Sequence, residues 1–203
     1  ALPGSLLLHV RVSHERAAVC SAGGYGRVTG VPGVCIATSG PGATNRVTGI
    51  AKAFLDSAPM VAITGQVASP LMGTDAFQEV DTVGITRPCT KMNYLVRHAD
   101  EVASVIREAF YLASSGRPGP VLVDIPKDVT AESTSNLDAG PLHLPGYSPD
   151  EEGDPKDVAQ AAAMTLPARR PTLCGGAGIV HPNAPPDPLH ITPRPRLPLP
   201  LHP

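Results

Sequence analysis

From residue 33 onward, short apolar runs alternate with stretches in which apolar positions recur every three or four residues. Residues 33–38 (GVCIAT), 60–64 (MVAIT) and 121–125 (VLVDI) are continuous apolar or β-branched runs, the pattern of strands buried on both faces of a parallel sheet. Between the first two, residues 43–57 place Val47, Ile50, Ala51, Phe54 and Leu55 at helical spacing behind a Ser39-Gly-Pro-Gly42 turn. Residues 100–114 put Val102, Val105, Ile106, Ala109, Phe110 and Ala113 on one face, with Asp100 expected as the N-cap and Gly116-Arg-Pro as the stop. Upstream, residues 9–13 read as a short β-branched stretch, and the Ala- and Gly-rich residues 17–26 as a helix able to pack very closely. The alternation predicts βα units feeding a parallel sheet, an α/β fold.

Past Lys127 the periodicity fades. Residues 129–153 are polar with interspersed Gly and Pro, the composition of a linker. Residues 154–166 then predict a helix, and residues 172–178 (TLCGGAG) a strand running into a Gly-rich turn, the opening of a second α/β domain. Residues 181–203 repeat Pro with Leu, Arg and His and are expected to be extended or disordered. The expected organisation is thus residues 1–128, a linker 129–153, the start of a second domain 154–180, and a Pro-rich tail 181–203. Residues 1–12 lack an initiator Met and a cleavable-signal layout, so a cut is expected at this end as well as in the tail.

Composition narrows the function classes. The chain has 203 residues, 42% of them apolar, enough for one good core, while 20 glycines and 24 prolines are about twice average usage. The formal charge is only -2, without basic clusters interleaved with aromatics, so neither nucleic acid nor an anionic membrane is an expected partner. No apolar run approaches the ~20 residues of a membrane span. The four cysteines are widely spaced, without CxxC, and read as small buried hydrophobes rather than a zinc site; no metal ligands are expected in this chain.

The Ser39–Gly42 turn joins a buried strand to a helix start, where α/β folds usually hold ligands, although a tight turn without a ligand would look the same. It is neither a P-loop nor a GxGxxG fingerprint. Glu15 alone would pass for solvated surface. In order and spacing, however, His14-Glu15, Gly24-Tyr25 and GVCIATSGPGATN (33–45) resemble the acetolactate synthase large-subunit family of thiamine-diphosphate enzymes. The resemblance continues through AITGQV (62–67), GTDAFQE (73–79), Lys91 with NYLV (93–96), and SGRPGPVLVDIPKD (115–128). It extends weakly through LPGY (144–147), a connection similar to the plant and algal branch.

That resemblance implies a doubly wound parallel sheet, the pyrimidine-binding domain, meeting a diphosphate-binding domain of another subunit across a dimer interface. It implies that Glu15 bonds N1′ of the aminopyrimidine and favours the imino tautomer, with a raised pKa in a buried site. Pro41, Gly42 and Asn45 are expected to line the pyrimidine pocket, and Phe77 and Gln78 to stand near the reacting carbon and the incoming 2-oxoacid. Glu15 and Gln78 are thereby the expected catalytic residues. Arg117 is expected to contact FAD, or to act as a helix C-terminal cation. Lys91 and Lys127 are expected at the substrate-channel mouth, or as solvated surface. The implied reaction decarboxylates pyruvate and joins the two-carbon unit to a second pyruvate or to 2-oxobutyrate, in branched-chain amino-acid synthesis. Structural FAD, and Mg²⁺ held by residues outside this chain, accompany it, in a homodimer or tetramer with or without a regulatory subunit. The compartment is expected to be the plastid in a plant or alga and the cytoplasm otherwise.

Departures accompany the matches. Gly23 replaces a usual acidic residue, Ala68–Pro70 replaces a common Pro-Arg-Arg run, and no Pro-Gly-Gly turn precedes His14. Because the family's diphosphate and metal ligands lie outside this chain, the resemblance implies that the chain alone lacks activity. A sister thiamine-diphosphate enzyme of the glyoxylate carboligase or pyruvate oxidase type, and a non-catalytic interaction module or remnant, are the alternatives.

Overall fold

The computed structural model describes residues 7–150, 152–168, 176 and 178. Four strands form one all-parallel sheet: β1 (Gly33–Ala37), β2 (Met60–Gln66), β3 (Met92–Leu95) and β4 (Pro120–Pro126), in the spatial order β1-β2-β4-β3. The connecting helices are α1 (Glu15–Thr29), α2 (Pro41–Thr44), α3 (Val47–Leu55), α4 (Thr82–Thr86) and α5 (Val102–Ser114), with α6 (Lys127–Ala131) following β4. Right-handed crossovers put α3 and α4 on one face, since β1→β2 and β2→β3 step in the same direction, and α5 on the other, since β3→β4 steps back. The sheet is doubly wound, as the resemblance implies.

The central strands follow their sequence. Met60, Val61 and Ala62 of β2 and Val121, Leu122 and Val123 of β4 are buried on both faces. On one side Val19 and Ala22 of α1 and Ile50 and Ala53 of α3 close over Cys35, Met60, Ala62 and Leu122. The expected close packing of α1 is present. A Cβ on Gly33 would lie 2.0 Å from the Ala22 carbonyl oxygen, and one on Gly26 would lie 2.3 Å from that of Pro59. The helix ends on Gly30 in the left-handed conformation (φ 71°), its N–H donating to the Gly26 carbonyl.

Several expectations are corrected. β1 is buried on one face only: Val34 and Ile36 are 45% and 52% exposed, because β1 is an edge strand and no described helix covers that side. Residues 8–12 are irregular and pair with no described strand, so Glu15 follows extended backbone rather than a strand. The helix expected over residues 43–57 is two helices, α2 and α3, joined by a tight turn in which the Arg46 N–H donates to the Ala43 carbonyl. Asp100 does not cap α5: it sits inside a short 3₁₀ turn (Ala99–Glu101) and accepts the Thr134 hydroxyl. β3 is an edge strand of four residues, too short and too polar around Asn93 to stand out by period.

The chain divides into two compact units, residues 1–144, which hold the sheet, and residues 145–203. In the second unit α7 (Pro155–Thr165) forms as expected, with the Asp154 carboxylate accepting the Lys156 N–H and Pro155 at the first helical position. The strand expected at 172–178 lies outside the described residues apart from Gly176 and Gly178, as does the Pro-rich tail. No described helix is long and apolar enough to cross a membrane.

Candidate functional site

At the carboxyl end of β1 the chain turns through Ser39–Gly42 into α2, and α1 begins beside it at Glu15. The two sequence-distant candidates meet: the Asn45 side-chain amide donates to Glu15 Oε2 at 3.1 Å. His14 caps α1 by accepting the Arg16 N–H at Nδ1, and that same Nδ1 stands 4.0 Å from Glu15 Oε2. The Glu15 side chain is 34% exposed. Its own backbone N–H and the Asn45 amide hold the carboxyl below its usual range, outweighing the opposing effect of burial. The raised pKa expected of a buried carboxyl is therefore absent in this chain, because the hydrogen bonds outweigh desolvation of a group one-third open to water.

Gly40 explains the turn. Its backbone (φ 59°, ψ -119°) is a glycine conformation, and a Cβ there would fall 2.7 Å from the Gln78 carbonyl oxygen and 2.9 Å from its Cα. The loop carrying Phe77 and Gln78 thus lies directly on the Ser39–Gly42 turn. Glu15, Pro41, Gly42, Asn45 and Gln78 are gathered at one end of the sheet. Pro41, Asn45 and Gln78 are exposed, Gly42 is buried, and Phe77 is 89% exposed on the loop.

Behind this surface lies a buried polar layer that sequence reasoning missed. Asp124, fully buried at the carboxyl end of β4, accepts the Thr64 hydroxyl at Oδ1 and the Gln66 amide, 3.0 Å away, at Oδ2. Burial, opposed by those two hydrogen bonds, pushes its pKa up to about 6. The Gln66 amide also donates to the Val80 carbonyl at 2.8 Å, tying this layer to the loop base. Arg46 is fully buried and donates through one terminal nitrogen to the carbonyls of Ile63 (2.9 Å) and Cys35 (3.2 Å), while its Nε and other terminal nitrogen have no partner. A visible signal was the aspartate inside the apolar run VLVDI.

The remaining candidates are placed apart from this cluster. Lys127 is exposed at the start of α6, at the carboxyl end of β4. Lys91 precedes β3 at the opposite end of the sheet, where its ammonium donates to the carbonyls of Leu112 and, at 2.8 Å, Ser115 at the end of α5. The two lysines are separated by the length of β4, about 20 Å, so within this chain they cannot border one opening. Arg117 is at that same far end. It donates to Ser57 Oγ (2.8 Å) and to the Leu55 carbonyl (3.3 Å), and its guanidinium lies 5.9 Å from the Phe54 ring centre, an α3 C-terminal cation. Among the described residues no group of three or more His, Cys, Asp or Glu side chains converges to hold a metal ion.

The family model for the N-terminal TPP-binding domain of thiamine pyrophosphate enzymes matches residues 1–85, the part that contains the Glu15–Asn45–Gln78 cluster. The chain is also 52% identical over 178 residues to the acetolactate synthase large subunit of Mycobacterium tuberculosis, covering 88% of this chain and 29% of that protein. Residues 1–85 thus match a thiamine pyrophosphate enzyme domain, and most of the chain is similar to part of acetolactate synthase large subunits. The large subunit of Corynebacterium glutamicum is 52% identical over 176 residues (87% of this chain, 28% of that protein). The acetolactate synthase of Arthrospira platensis is 51% identical over 174 (85% and 30%). The chain spans under a third of the length of these curated relatives. Lys91, Arg117 and Lys127 lie beyond the domain model but within the stretch shared with the large subunits.

Proposed function

We propose that this chain supplies the pyrimidine-facing half of a thiamine-diphosphate site in an acetolactate synthase, with Glu15 as the carboxylate that meets the ring nitrogen N1′. The observation that carries this is the Asn45–Glu15 hydrogen bond beside the glycine turn. Asn45 fixes one carboxylate oxygen, Oε2, beside the turn that carries Pro41 and Gly42. The fit is chemical as well: a carboxyl held ionised at neutral pH accepts a hydrogen bond from a protonated ring nitrogen and can take that proton. When bound, thiamine diphosphate supplies the carbon nucleophile that attacks a 2-oxoacid. Glu15 holds or releases the proton at N1′, Asn45 keeps the carboxylate in place, and Gln78 presents its side chain from the loop seated on Gly40.

The substrates in this reading are pyruvate with a second pyruvate or 2-oxobutyrate, and the site is completed by a second subunit's diphosphate-binding domain. In this reading Mg²⁺ would be held from outside this chain. A flavin in the complete enzyme would meet an Arg117 already fixed on the end of α3. Lys127, exposed at the carboxyl end of the sheet, suits an oxoacid approach better than Lys91, whose ammonium is engaged by α5 carbonyls. The test is a complete acetolactate synthase large subunit in which this segment replaces its counterpart. It should form acetolactate from pyruvate only with thiamine diphosphate, and Glu15→Gln should remove that activity while leaving assembly intact. Undiminished activity in Glu15→Gln would overturn the assignment.

A further inference from the structure

The loop from Gly73 to Val80 belongs to no helix or strand, yet it holds an uncommon backbone. Asp75 (φ 58°) and Gln78 (φ 60°) are non-glycine residues in the left-handed region, alongside Gly73 (φ 82°). Such conformations persist only where surrounding contacts fix them. Thr74 holds the start of the loop by donating its hydroxyl to the Leu71 carbonyl at 2.7 Å, and the Glu79 side chain joins the rest. Glu79 Oε1 accepts the Gly73 N–H, and Oε2 accepts the Ala76 N–H at 2.9 Å. In return the Glu79 N–H donates to the Ala76 carbonyl at 2.9 Å. The amides of Thr74 and Asp75 also act on the carboxylate, which sits in a concavity of successive backbone N–H groups and is held below its usual range. The base is fixed separately, by the Gln66 amide on the Val80 carbonyl.

We infer that Glu79 is a positioning residue, whose ionised carboxylate folds residues 73–79 into the one shape that seats Gln78 on Gly40 and projects Phe77 outward. It touches neither cofactor nor substrate and acts through the backbone of its neighbours. Gln78 is the link to the site, since its Cα and carbonyl oxygen lie against Gly40 at distances only a glycine there allows. The folding of the loop stands on geometry alone; its service to catalysis rests on the cofactor reading above.

The sign of the pH dependence follows from the lowered pKa. The clamp is fully present above the ordinary glutamate value of 4.5 and is lost as pH falls through the lower folded-state value. The experiment compares the full chain with Glu79→Gln and Glu79→Asp by hydrogen–deuterium exchange, corrected for intrinsic rates, at neutral and acidic pH, and by titration with thiamine diphosphate. Glu79→Gln should speed exchange at Gly73 and Ala76 about tenfold or more, as loss of charge-assisted bonds requires, while the amides of β4 keep their protection. The unmodified chain should show the same acceleration on acidification, Glu79→Gln should show no such step, and Glu79→Asp should fall between them. In the complete subunit carrying this segment, Glu79→Gln should lower kcat more than it raises KM for pyruvate. Unchanged exchange at Gly73 and Ala76, or a pH step that survives in Glu79→Gln, would overturn the inference. Failure of the unmodified complete subunit to bind thiamine diphosphate would instead overturn the cofactor reading, and the exchange comparison would still decide the role of Glu79.

Discussion

Replacing Gly40 by Ala tests whether the turn after β1 and the loop over residues 73–79 form one surface. Two costs add. The backbone at Gly40 (φ 59°, ψ -119°) is a region other residues avoid, worth about 1–3 kcal/mol. The new methyl would also stand within 3 Å of the Gln78 carbonyl oxygen, Cα and Cβ, an overpacking cost of about 1–3 kcal/mol. Gly73→Ala is the internal control, because φ there is 82° but no atom lies within 4 Å of the added Cβ, leaving only a conformational cost of about 1–2 kcal/mol. Urea unfolding followed by far-ultraviolet circular dichroism should therefore place Gly40→Ala below Gly73→Ala by about 1–3 kcal/mol, a large part of the ~5–15 kcal/mol of a typical domain. Because the loop can also relieve the clash by lifting, amide exchange at Gln78 and Glu79 should rise in Gly40→Ala. Equal destabilisation by the two substitutions, with exchange over 76–79 unchanged, would refute the contact between turn and loop.

Two further predictions concern the buried polar layer. Asp124 has a folded-state pKa of about 6 against 3.8, so it binds its proton more tightly when folded, and stability should fall as pH rises from about 4 to 6, by about 3 kcal/mol in total. Urea midpoints across that range should show the fall in the unmodified chain and a flatter profile in Asp124→Asn; identical profiles would contradict it. Arg46 is a buried cation with two unpartnered nitrogens, so Arg46→Met should be neutral or stabilising by about 1–4 kcal/mol in the same assay, and a loss above ~2 kcal/mol would contradict that account.

What the sequence made legible divides along physical lines. β2 and β4 were readable because a strand buried on both faces must be apolar throughout, and α1 because only small residues allow helix and strand to approach as Ala22 and Gly33 do. β1 read the same way and misled, since an apolar run does not reveal whether something covers its second face. The Glu15–Asn45 pairing could not be read from spacing, as it joins residues thirty positions apart on either side of α1 and β1. The resemblance to a family brought both residues forward, and the fold then put them in contact. Glu79 stayed hidden because its partners are backbone groups, which leave no side-chain pattern to recognise, and Gln66 because its partners, the Val80 carbonyl and the Asp124 carboxylate, are distant in sequence. Lys91 and Arg117 were singled out for ligands, and the structure shows what each holds within the chain: the carbonyls at the ends of α5 and α3.

The measurement that most directly tests the central claim is exchange of the thiamine diphosphate C2 proton with deuterated solvent, followed by proton NMR in a complete large subunit carrying this segment. In the proposed site, activation through N1′ passes through the Glu15 carboxylate, so Glu15→Gln should slow that exchange by about 10²–10⁴-fold, the range of a positioned acid–base group, without changing cofactor occupancy. An exchange rate in Glu15→Gln equal to that of the unmodified protein, at equal occupancy, would contradict the claim that Glu15 faces the pyrimidine ring.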